Sequence, residues 1–119
     1  MNEQVFWVLE LEINAGKYDD FQTLMGEMIA SVKENEPGTL NYEWFTSSDK
    51  SRCHIYERYS DSNAVMAHLA TFGQQFAERF FSSTEAKRLV VYGNVSDDVR
   101  NALEEIGAEF MSPWDGFIK

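Results

Sequence analysis

The sequence holds one cysteine, Cys53, two prolines and two histidines, and its 10 Lys+Arg are half its 20 Asp+Glu. A lone cysteine excludes an intramolecular disulfide, and two histidines leave no Cys/His set for zinc, so no metal is expected. A net charge of -10 with no local Lys/Arg cluster repels phosphate backbones, which rules down nucleic acid and a basic membrane-surface role. No apolar run approaches the length that spans a bilayer, and the opening Met-Asn-Glu-Gln has no basic region leading into a cleavage site. The expected compartment is the cytoplasm. Glycine-rich phosphate loops, nucleophile elbows and zinc signatures are missing, which disfavours nucleotide-dependent enzymes and serine hydrolases. No repeat, low-complexity tract or linker divides the 119 residues, so one domain is expected over 1–119, with a core of about 5–93 and a C-terminal extension of about 94–119.

Aromatic side chains are abundant: 9 Phe, 5 Tyr and 3 Trp. Val5 to Ile13 is apolar at every odd position, the period of a strand, and Gly16 breaks it. From Lys17 to about Glu36, Tyr18, Phe21, Leu24, Met25, Met28, Ile29 and Val32 recur at spacings of three and four, predicting a helix that Pro37-Gly38 stops. Leu40 to Thr46 and Arg52 to Tyr59 read as an antiparallel hairpin around the polar loop Ser47 to Ser51. Ser60 to Asn63 supplies candidate caps for a second helix with the stripe Val65, Leu69, Phe72, Phe76 and Phe80, and Arg88 to Tyr92 reads as a fourth strand. The order β-α-β-β-α-β predicts an α+β, ferredoxin-like fold. Ser96 to Gly107 adds a capped helix and Ala108 to Met111 a last strand.

On the strands both parities carry large apolar residues, so both sheet faces require cover. Two helices cover one. A homodimer packed sheet to sheet, with the tail wrapping across, would cover the other.

His68 lies at the shoulder of the second helix's apolar stripe. A neutral imidazole there has the pKa to take a phenolic proton, and the alternative is a core histidine bonded to Glu57 or a carbonyl. Glu57 shares parity with Ile55 and Tyr59. If buried it needs a partner, His68 or an arginine such as Arg58 or Arg52, and it either orients His68 or forms a structural ion pair. Tyr42, Trp44, Tyr56, Tyr59, Trp7 and Phe72 are candidates for a slot that stacks a small aromatic ligand, each with core or interface packing as its alternative. His54 is a candidate for the dimer face, and Cys53 reads as an inert strand residue.

The run Glu36-Pro-Gly-Thr-Leu-Asn-Tyr-Glu-Trp-Phe45, then His54-Ile-Tyr-Glu-Arg-Tyr59 and Ser62-Asn-Ala-Val-Met-Ala-His-Leu-Ala-Thr71, resembles the antibiotic biosynthesis monooxygenase family over about residues 5–93. Its most specific part is Glu57-Arg58-Tyr59, Asp61 and His68-Leu69. The resemblance implies a dimeric α/β barrel that oxygenates electron-rich phenols, quinols or anthrones without metal or flavin, so no cofactor is expected. For such chemistry His68 and Glu57 are the catalytic candidates and Tyr42, Trp44, Tyr59 and Phe72 the substrate-binding ones. Some relatives degrade haem with a histidine late in the second helix. Here Phe72-Gly73-Gln74-Gln75 stands at that place and no histidine follows His68, which makes that activity the less expected one. A dimeric ligand-binding protein without catalysis is the alternative in another class.

Overall fold

A computed structural model describes residues 3–119, so Met1 and Asn2 of the opening stretch lie outside the described residues. The elements run β1 (Val5–Ile13), α1 (Tyr18–Asn35), β2 (Thr39–Thr46), β3 (Arg52–Tyr59), α2 (Ser62–Gln75), α3 (Ala77–Ser83), β4 (Thr84–Tyr92), α4 (Asp97–Glu104) and β5 (Glu109–Met111). They build the expected α+β, ferredoxin-like fold around one five-stranded sheet of order β2-β3-β1-β4-β5. The first four strands pair antiparallel, and β5 adds in parallel along β4.

Two elements differ from the sequence reading. The stripe from Val65 to Phe80 belongs to two helices, because Phe76 leaves helical geometry (φ -127, ψ -22) and caps α2 through its N–H to the Phe72 carbonyl. Phe76 and Phe80 are nonetheless buried, so the stripe describes the packing although the backbone is interrupted. β4 starts at Thr84, four residues before Arg88, and its register against β1 shifts between Glu10 and Leu11. That irregularity adds Lys87 to the strand and breaks the alternation that the sequence pattern depends on.

Alternation sorts the sheet residues. Val5, Trp7, Leu11, Cys53, Ile55, Glu57 and Tyr59 face the helices and are buried. Phe21, Leu24, Met28 and Val32 of α1 pack on that face, and α3 is tied to α1 by a bidentate pair from Arg79 to Glu27 at 2.9 and 2.7 Å. The C-terminal extension closes the end of the core: Val99 and Leu103 cluster with Val5, Trp7, Tyr59, Val65 and Val91. On the outer face the cross-strand rows run Tyr92, Phe6, Arg58, Asn41 and then Val90, Val8, Tyr56, Glu43. Phe6 stacks on Tyr92 at 5.1 Å and meets Tyr56 edge-on at 6.3 Å. Among the described residues no helix is long and apolar enough to cross a membrane.

Candidate functional site

Three buried ionisable side chains meet beneath α2. Register puts Glu57 between Tyr42 of β2 and Trp7 of β1 on the helix-facing side of the sheet. A carboxylate in that row is costly unless it is bonded. Glu57 Oε1 accepts the Tyr59 hydroxyl at 2.5 Å and lies 3.3 Å from His68 Nε2. Arg58 points to the opposite face, where it donates to Asn41 at 2.6 Å and to Gln4 at 3.0 Å, so the partner of Glu57 is His68.

Asp61 starts α2 by accepting the Ala64 N–H at 2.8 Å, which fixes the helix phase that turns Val65 and His68 inward. The third member, Glu36, is absent from the sequence reading. Its position follows from the turn after α1, where Gly38 approaches α2 so closely that an added Cβ would lie 2.5 Å from the Ala64 Cβ. His68 is one turn beyond Ala64 on the same helix face. The residue two before Gly38 therefore reaches the imidazole, and Glu36 Oε1 lies in hydrogen-bond contact with His68 Nδ1 at 2.9 Å while also accepting the Thr39 hydroxyl at 2.9 Å. Glu36 Oε2 is buried with no hydrogen-bond partner among the described residues, so this carboxylate leans on the charge of His68.

Burial alone would pull His68 down. Hydrogen bonds and charge from Glu36 and Glu57 outweigh it and hold the imidazole up at about 9. That direction favours the imidazolium, whose two ring nitrogens face Glu36 and Glu57, over the neutral imidazole that would take a phenolic proton. Tyr42 and Tyr59 are pushed well above the usual phenol range by burial first and by the charge of Glu57 next, so they stay protonated as donors. Both His68 nitrogens are engaged, and among the described residues no group of three His, Cys, Asp or Glu is arranged to hold a metal ion.

A cavity of about 230 Å³ opens onto this cluster. Glu57, His68 and Tyr42 share its wall with Trp7, Leu9, Met28, Ile55, Leu69, Phe72, Phe80, Phe81 and Leu89, with Ala86, Lys87 and Arg88 of β4, and with Leu103, Ile106 and Gly107 of the C-terminal extension. Tyr42 and Phe72 thus stand where a ligand would touch them. Tyr59 is absent from the lining and acts behind Glu57. Trp44, two residues along β2 from Tyr42, borders a second cavity of about 200 Å³ with Phe21 and Cys53. Tyr56 lies on the outer face against Phe6, and His54 is there too, 3.8 Å from Glu10. Burial pushes the Cys53 thiol up to about 11, which makes it unreactive at neutral pH. One signal for Glu36 does exist in the sequence: it follows Val32 by four residues, placing a carboxylate where the buried stripe of α1 would continue.

The family model for antibiotic biosynthesis monooxygenase matches residues 5–75, a span that contains Glu36, Tyr42, Glu57, His68 and Phe72. No curated protein matches the sequence. Among solved structures, MupZ from Pseudomonas fluorescens superposes with a TM-score of 0.88 at 23% identity, covering 100% of this chain and 91% of that one. SnoaB from Streptomyces nogalater, a cofactor-independent oxygenase, gives 0.66 at 14% identity over 79% of this chain and 95% of its own. A conserved protein from Methanosarcina mazei Go1 gives 0.65 at 16% identity, covering 75% and 90%. At such identities the likeness is one of fold.

Proposed function

Because the chain belongs to the antibiotic biosynthesis monooxygenase family, we propose that it is a cofactor-independent monooxygenase that oxidises a small quinol-type molecule in the cavity over His68. The observation that carries this reading is the meeting of an aromatic-walled cavity with a buried histidine held between two carboxylates. A ring hydroxyl set over the cluster gives its proton to Glu57, and the His68 cation faces the oxyanion that remains. The electron-rich ring then reduces dioxygen, and a C–O bond forms at the neighbouring ring carbon to give a peroxide. The Glu57 proton returns to the distal peroxide oxygen. Cleavage of the O–O bond with loss of the ring C–H proton releases water and leaves a hydroxyquinone. Hydroquinone plus dioxygen thus gives hydroxyquinone plus water, with every electron supplied by the substrate.

Oxygen uptake with a panel of hydroquinones tests the reading. His68→Gln keeps the side-chain bulk but removes the charge, and should lower kcat by about 100-fold. Ligand binding with no uptake above buffer would instead favour the non-catalytic binding protein.

A second copy of the chain belongs to the same proposal. The outer sheet face leaves Phe6, Tyr92, Phe45 and Met111 between 37% and 55% exposed, and a partner's equivalent face is the cover that suits them.

A further inference from the structure

Register sets three residues of neighbouring strands in one row on the helix-facing side of the sheet: Tyr42 of β2, Glu57 of β3 and Trp7 of β1. All three line the cavity. Glu57 engages one oxygen with the protein, since Oε1 accepts the Tyr59 hydroxyl at 2.5 Å and lies 3.3 Å from His68 Nε2. Its Oε2 has no hydrogen-bond partner among the described residues, and neither has the Tyr42 hydroxyl or the Trp7 indole N–H. The polar side-chain atoms that are both sealed from solvent and unpartnered are Glu36 Oε2 and Trp44 Nε1, so the three atoms of the row meet open space. Glu57 and Trp7 are only 4% and 3% exposed and face the helices, which makes the cavity the space they meet. Tyr42 stands beside Glu57 on the same wall.

The row thus offers a donor, an acceptor and a second donor to whatever enters. A ligand loses affinity for each polar group it desolvates and leaves unpaired, so the row selects one that gives a single proton and accepts two. A phenol hydroxyl has one proton to give, and its oxygen, conjugated to the ring, accepts one bond. An oxygen on the adjacent ring carbon supplies the second acceptor. Side-chain length assigns the contacts, because strand side chains stand roughly perpendicular to the sheet. The glutamate oxygen and the indole N–H end at similar heights above it, whereas the tyrosine hydroxyl stands a ring's length beyond its Cβ. The ligand hydroxyl therefore falls to Glu57 and Trp7, and the adjacent oxygen to Tyr42. Resting on the reading of this cavity as the substrate site, we propose that Tyr42 is a specificity-determining residue that selects phenols bearing an oxygen substituent on the neighbouring ring carbon.

The test is binding of 2-methoxyphenol, 4-methoxyphenol and 2-ethylphenol, measured anaerobically by calorimetry on the full chain and on Y42F and W7F. The two methoxyphenols differ in where the second oxygen lies, and 2-ethylphenol keeps the shape of the first without that acceptor. Y42F removes the hydroxyl and keeps the ring, and should weaken 2-methoxyphenol about tenfold relative to both other ligands. W7F should weaken all three alike. Relative affinities constant within twofold between the native chain and Y42F would overturn the proposal, as would a selective loss in W7F instead, or a failure of all three phenols to bind. Turnover is not needed for this readout. A selective loss in a protein that consumes no oxygen would defeat the oxygenase reading and leave the Tyr42 contact standing, and constant relative affinities with normal uptake would do the reverse.

Discussion

His68 keeps its proton because carboxylates close on it from both sides of the ring, at 2.9 Å from Glu36 and 3.3 Å from Glu57. Its proton should titrate near 9 by NMR, and Glu36→Gln should bring that value down toward the ordinary imidazole range. A value that stays near 9 in that variant would assign the effect to Glu57 alone. The raised value is also a stability statement. A group whose folded pKa lies above its unfolded value contributes fully below the unfolded value, about 6.5, and loses that contribution as pH rises through about 9. The shift corresponds to about 3 kcal/mol. Thermal unfolding should therefore move to lower temperature between pH 6.5 and 9 in the native chain, and His68→Gln should flatten that slope. Glu57 was legible in the sequence because strand parity alone puts it beside Ile55 and Tyr59. For Glu36 only its place at the end of the α1 stripe was legible; what brings it to His68 is a contact between a turn and a helix, which that stripe does not encode.

The turn between α1 and β2 is the element on which that meeting depends. Gly38→Ala would force its new methyl group against the Ala64 side chain and the Ser60 hydroxyl, pushing the turn away from α2. Overpacking of this kind costs about 1–3 kcal/mol. The loss should appear in urea unfolding, together with a lowered His68 titration. A destabilised variant whose His68 still titrates near 9 would show that the turn does not position Glu36. Asp61→Ala offers a comparison at the start of α2, with an expected loss of about 1 kcal/mol from the missing cap. Helix starts were the most legible part of the chain, since Asp61 and Ser96 both stand among the residues singled out as caps. The break at Phe76 was not legible. Phe72, Phe76 and Phe80 keep a four-residue rhythm, and no proline falls between them. The early start of β4 was hidden for a related reason: Lys87 at the register shift interrupts the period of two.

For the whole molecule, the composition first read as a list of excluded partners, and the aromatic count has acquired a location. Inner-face aromatics such as Trp7, Tyr42, Phe72 and Phe80 surround the cavity, while Phe6, Tyr56 and Tyr92 form a patch on the outer face. The proposed dimer buries that patch, so Phe6→Asp should convert a dimer into a monomer in sedimentation velocity at micromolar concentration. A native chain that sediments as a monomer would remove the partner from the account without touching the cavity. Fold class and strand pairing were readable because alternation and turn chemistry are local. The cavity was not, because its lining draws on the sheet, the helices and the C-terminal extension together. The central claim is that the cluster beneath the cavity directs an oxygen atom from dioxygen into a quinol. Its most direct test is turnover of a single-ring hydroquinone under labelled dioxygen, with the hydroxyquinone analysed by mass spectrometry. One labelled oxygen in the product, formed by the native chain and reduced about 100-fold in His68→Gln, is the predicted result; unlabelled product, or equal labelled product from both proteins, would contradict it.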